Sequence, residues 1–64
     1  MNHKFTPGQK ILFGKPRRRI AGTIEFVEHD RIYLVDVASA SKLLPDAWIP
    51  INKLENVIVF DGIA

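Results

Sequence analysis

IAGTIEFVEHDRIYLVDVA, residues 20–38, is the stretch on which the fold turns. From Ile20 to Glu28 the chain alternates, with Gly22, Ile24 and Phe26 on one face and Thr23, Glu25 and Val27 on the other, the two-residue period of a half-buried strand. Arg31 to Ala38 is rich in β-branched and aromatic residues, and the same period separates Tyr33, Val35 and Val37 from Ile32, Leu34 and Asp36. His29-Asp30 is short enough for a two-residue hairpin connection, although neither residue has glycine's access to positive φ. A central β-hairpin is the first expectation.

Toward the N-terminus, Gln9 to Gly14 reads as a strand with Ile11 and Phe13 on the core face and Lys10 and Leu12 on the other. Phe5-Thr6-Pro7-Gly8 before it has the punctuation of an entry turn, proline presetting φ and glycine permitting a positive φ beside it. Between the two strands lies GKPRRR, residues 14–19, the densest run of charge in the chain. Pro16 donates nothing to a sheet ladder, so Lys15 to Arg19 is expected to be a loop. Toward the C-terminus, Ala38 to Asp46 is small and polar and then broken by Pro45, and reads as a loop with room for one helical turn. Ala47 to Ile51 reads as a short strand whose Pro50 suits an edge. Asn52-Lys53-Leu54 fits a single 3₁₀ turn, Glu55 to Phe60 a last strand, and Asp61-Gly62 begins a short tail. Five short strands without a long helix predict an all-β fold whose sheet curls on itself into a small barrel, hiding its edges and its apolar face.

Sixty-four residues make a single domain, 1–64, and a chain of this size buries only about 60% of the surface it exposes when unfolded. With 47% apolar and 25% charged residues the composition is that of a globular domain and not of a disordered one. No cysteine is present, which excludes disulfides and cysteine-based zinc sites and fits a reducing compartment. Neither a signal-peptide run at the N-terminus nor a membrane span is evident, so a soluble cytoplasmic protein is expected. Net charge is +2, but residues 1–32 carry seven Lys/Arg against three acids and residues 33–64 two against four. The basic charge is concentrated in the first half.

The order strand, basic loop, long strand, tight turn, strand, variable loop, short strand, 3₁₀ turn, final strand resembles that of SH3-like barrels. Trp48-Ile49-Pro50-Ile51-Asn52-Lys53-Leu54 is similar to the segment around the 3₁₀ turn of SH3 domains. Phe5-Thr6-Pro7-Gly8-Gln9-Lys10-Ile11 and the later Gly22-Thr23-Ile24 look like the corresponding parts of KOW-type and ribosomal SH3-like modules. The resemblance implies a five-stranded SH3-like barrel with a 3₁₀ turn before the last strand, and it makes the loop joining the first two strands a place for nucleic-acid contacts. Proline-peptide binding does not carry over: the Ala-Leu-Tyr-Asp-Tyr and paired-tryptophan signatures of eukaryotic SH3 domains are missing, and the loop that would be acidic there is basic here.

Catalytic chemistry lacks its parts. Gly8 and Gly14-Lys15 are one position too far apart for a phosphate-binding GxxxxGK, and Pro16 stands where a hydroxyl would reach magnesium. Glu25 and Glu28 project to opposite faces of one strand, and the serines, Ser39 and Ser41, lie in the variable loop. His3, His29, Glu28 and Asp30 show no metal-ligand spacing. No enzyme activity, cofactor or metal is expected. The favoured reading is non-catalytic binding of DNA or RNA, with Lys15, Arg17, Arg18 and Arg19 on phosphates, Lys10 and Arg31 as supporting charges, and Tyr33 or Trp48 stacking on a base. The alternative is a protein-interaction adaptor, dimeric or bound to a partner through an outward apolar face of Leu12, Val27, Ile32 and Leu34.

Overall fold

The computed structural model describes residues 5–60. Six strands succeed one another: β1 (Lys10–Lys15), β2 (Arg18–Val27), β3 (Arg31–Ser39), β4 (Lys42–Leu44), β5 (Ala47–Pro50) and β6 (Ile58–Phe60), with a 3₁₀ turn at Ile51–Lys53 before the last. All pairings are antiparallel and run in the order β4-β3-β2-β1-β6. β5 shares the β4 edge of β3, pairing with Arg31–Leu34 while β4 pairs with Val37–Ser39. The fold is all-β, and among the described residues β6 pairs only with β1, so the sheet is not closed by hydrogen bonds.

The entry turn forms as expected. Gly8 takes φ 97°, the Gln9 N–H donates to the Thr6 carbonyl at 3.3 Å, and the Gly8 N–H donates to Ile24 at 2.7 Å, tying the turn to β2. The central hairpin also forms, with the Glu28 N–H donating to the Arg31 carbonyl across His29-Asp30. Ala38 to Asp46 differs from expectation. It is no loop but a second hairpin, with Ala40 and Ser41 at φ 50° and 69° making the reversal into β4, a conformation that primed turns require and that these residue types do not advertise. β5 ends on Pro50 at a sheet edge, where its missing N–H costs no ladder bond.

Two register shifts divide the sheet's faces. Between the pairs Ile24/Leu34 and Phe26/Tyr33, Glu25 is an extra residue on β2; between Ala21/Ala38 and Thr23/Val35, Asp36, at φ 51°, is an extra residue on β3. Each bulge reverses the parity of the residues beyond it. The core that results is Phe5, Ile11, Phe13, Ile24, Ile32, Leu34 and Val37, with Leu44, Ile49, Leu54, Val57 and Val59 packed on it. Ile11 and Phe13 face inward as expected. Ile32 and Leu34, expected on an outward face, are 0% exposed and form the centre of the core. Phe26, expected inside, is 55% exposed because the Glu25 bulge turns it out.

Candidate functional site

GKPRRR is a β-hairpin and not the expected loop: Lys15 lies opposite Arg18 and Gly14 opposite Arg19, leaving only Pro16-Arg17 outside the strands. Proline's fixed φ forbids a primed turn at this corner, and the positive φ of the hairpin falls on Gly14, at 108°. The base of the hairpin is braced from two sides. The Gly14 N–H donates to the Glu55 carbonyl at 2.8 Å and Asn56 Nδ2 donates to the Gly14 carbonyl at 3.3 Å, while Ser39 Oγ donates to the Arg19 carbonyl at 3.0 Å.

Lys15, Arg17, Arg18 and Arg19 are all exposed, and none forms an ion pair with another described residue. Facing like charges across a strand pair, as Lys15 and Arg18 do, lowers stability. The hairpin therefore holds a cluster of uncompensated positive charge on a short, braced support, an arrangement suited to a multiply charged anion.

The second concentration of side chains is aromatic. Phe26, Tyr33 and Trp48 are directly opposed across β2, β3 and β5, forming one row on the outer face of the sheet. Ring centroids are 5.9 Å apart for Phe26 and Tyr33, 5.1 Å for Tyr33 and Trp48, and 6.5 Å for Phe26 and Trp48. The rings border a shallow cavity of about 260 Å³. Arg31, two residues before Tyr33 on the same face of β3, places its guanidinium 4.4 Å from the Trp48 ring centroid and donates from Nε to Glu28 Oε1 at 2.8 Å. A cation over an exposed ring contributes about 0.5–1 kcal/mol, and the half-exposed ion pair a similar or smaller amount.

The expected site residues thus fall into two groups. Lys15, Arg17, Arg18 and Arg19 lie together at the start of β2; Arg31, Tyr33 and Trp48 lie together at its far end. Lys10 is between them, opposite Thr23 and Phe60, at the rim of an outer groove of about 330 Å³ that Leu12, Ala21, Thr23 and Asp36 also line. Phe26 is the member of the aromatic row that sequence reasoning missed. A two-residue turn at His29-Asp30 fixes Phe26 opposite Tyr33, and opposed residues share a face, so the register carried a signal that strand-by-strand alternation did not.

The expected interface does not form as a surface patch, since Ile32 and Leu34 are buried while Leu12 is half-buried and Val27 exposed. A different apolar row crosses the outer face: Ile58, Leu12, Ala21, Ala38 and Leu43 are successive partners on β6, β1, β2, β3 and β4. Among the described residues no three His, Asp or Glu side chains gather as metal ligands, and His3 lies outside those residues. No described helix is long and apolar enough to cross a membrane. No protein-family model matches the chain, and no curated protein or solved structure is significantly similar to it.

Proposed function

We propose that this protein is a cytoplasmic, non-catalytic nucleic-acid-binding module, for DNA or RNA, that holds phosphates on the hairpin of Lys15, Arg17, Arg18 and Arg19. The observation that carries the reading is the set of four exposed cations, without acidic partners among the described residues, on one braced two-residue hairpin. Evenly spread surface charge would serve solubility equally well; charge concentrated at the cost of a like-charged cross-strand pair is better suited to a phosphate backbone. The strand order, with β4 and β5 together forming one broken edge and the 3₁₀ turn preceding the last strand, supports an SH3-like barrel of the KOW-type or ribosomal kind as the scaffold.

Fluorescence anisotropy of labelled oligonucleotides tests this. Wild type is expected to bind at low salt, with log K falling by about 0.7–0.9 per phosphate contact for each decade of salt. A variant carrying Arg17→Ala, Arg18→Ala and Arg19→Ala is expected to lose most of the affinity and to show a shallower slope. Wild type without binding at low salt would refute the reading.

A second reading, a protein-interaction adaptor that self-associates or docks a partner, is favoured by the apolar row from Ile58 to Leu43, whose end residue Leu43 is 85% exposed. That row replaces the patch expected from the sequence.

A further inference from the structure

We infer that the nucleic acid is single-stranded and that it runs along the outer face of β2, from the basic hairpin to the row formed by Phe26, Tyr33 and Trp48. The inference rests on the nucleic-acid reading above and adds strandedness, direction and a second contact point to it.

The residues between the two groups make the track. Ile20 packs on the core and Gly22 and Ile24 are buried, so Arg19, Ala21 and Thr23 project from the opposite, outer side of the strand. Beyond them the Glu25 bulge returns Phe26 to that same outer side, where it meets Tyr33 and Trp48. Without the bulge the strand would present Arg19 outward at one end and Phe26 inward at the other. With it, one face carries in sequence a basic end, a floor of small side chains over the outer groove, and an aromatic end.

Arg19 and Phe26 are separated by about 20 Å of strand, a span suited to about four nucleotides, the lower end of single-stranded sites on small barrels. Charge complementarity favours this occupant at the hairpin end, whose cations have no ion-pair partner among the described residues; at the other end Arg31 is paired with Glu28 over the Trp48 ring, and the exposed rings themselves are the attraction. The carboxylate of Asp36, which lines the outer groove, borders the middle of the track, which disfavours phosphates there and favours bases turned toward the sheet. A duplex hides the faces of its bases, so it can use the hairpin but gains nothing from exposed rings; an unpaired strand can use both.

The experiment measures anisotropy with a labelled oligothymidine of about 12 nucleotides and with a mixed-sequence duplex of equal length. It compares wild type, Trp48→Ala, Phe26→Ala and the triple hairpin variant, each checked for its β-sheet circular dichroism. Wild type is expected to bind the single strand at least about tenfold more tightly than the duplex, and each aromatic variant to lose about tenfold on the single strand with duplex affinity and salt slope unchanged. The hairpin variant is expected to weaken both ligands. Phe26→Ala supplies the result if Trp48→Ala fails to fold, because Phe26 is the more exposed ring. Equal affinity for the two ligands, or single-strand affinity indifferent to both ring deletions, would overturn the inference and leave the phosphate-binding hairpin standing. Failure to bind either ligand at low salt would remove both, and concentration-dependent dimerisation in that case would assign the outer face to a second copy of the chain.

Discussion

A methyl group at Gly14 would stand 2.6 Å from the Arg18 carbonyl oxygen, and the residue's φ of 108° is one that side chains with a Cβ rarely adopt. Gly14→Ala is therefore expected to cost about 1–3 kcal/mol, read by urea denaturation, and to disturb the hairpin more than the core. Contacts alone do not make this residue special; its amide and carbonyl are both committed to the Glu55-Asn56 segment. What the sequence hid at this scale was parity. Ile11 and Phe13 were legible as core because β1 has no bulge, whereas Phe26 was misassigned because Glu25 is chemically ordinary for a strand and nothing in its identity marks an extra residue. Asp36 gives a stronger hint, since aspartate tolerates the left-handed region better than most residues. Yet the hint becomes readable only once the partner strand is known.

At the scale of elements, the sequence of the β3–β4 hairpin reads as a loop because ASASK contains none of the Asn-Gly or Asp-Gly signals that primed turns favour. Ala40 and Ser41 nevertheless hold positive φ there, kept in place by the Ser39–Lys42, Ala38–Leu43 and Val37–Leu44 pairs. The turn is thus suboptimal for its geometry. Ala40→Asn with Ser41→Gly is expected to stabilise the protein by about 1 kcal/mol, a rise of about 4–8 °C in a thermal melt for a domain of this size. A fall in Tm would show that the reversal is not a primed turn. β3 illustrates a second limit of sequence reading. With Ile32, Leu34 and Val37 on one side and Tyr33 and Val35 on the other, it is apolar on both faces, so periodicity locates the strand without saying which face is inner. The selection comes from packing: Ile32, Leu34 and Val37 fill the core together with Ile11, Phe13 and Ile24, and the rings of Tyr33 and Trp48 lie against each other outside it.

For the molecule as a whole, the all-β class, the central hairpin and the 3₁₀ turn were legible, because they follow from strand periodicity, proline positions and chain length. The division of the expected site into two ends of β2 was not legible, since it depends on register. The same outer face carries both the proposed strand track and the apolar row, with Ala21 common to the two. Leu43→Lys, at the far end of the row, is expected to change stability by less than about 0.5 kcal/mol. If the row pairs two copies of the chain, sedimentation velocity will show the wild type associating with rising concentration and the variant remaining monomeric. Equal behaviour of the two proteins would exclude the row as a dimer contact. The chain's sole tryptophan and sole tyrosine are neighbours within the aromatic row, their rings 5.1 Å apart. Excitation absorbed by Tyr33 should therefore pass to Trp48 in the folded protein, leaving almost no tyrosine emission; unfolding should restore it, and a base stacked on the indole should dim the remaining signal. The protein thus contains its own optical gauge, able to tell occupancy from denaturation without an attached dye.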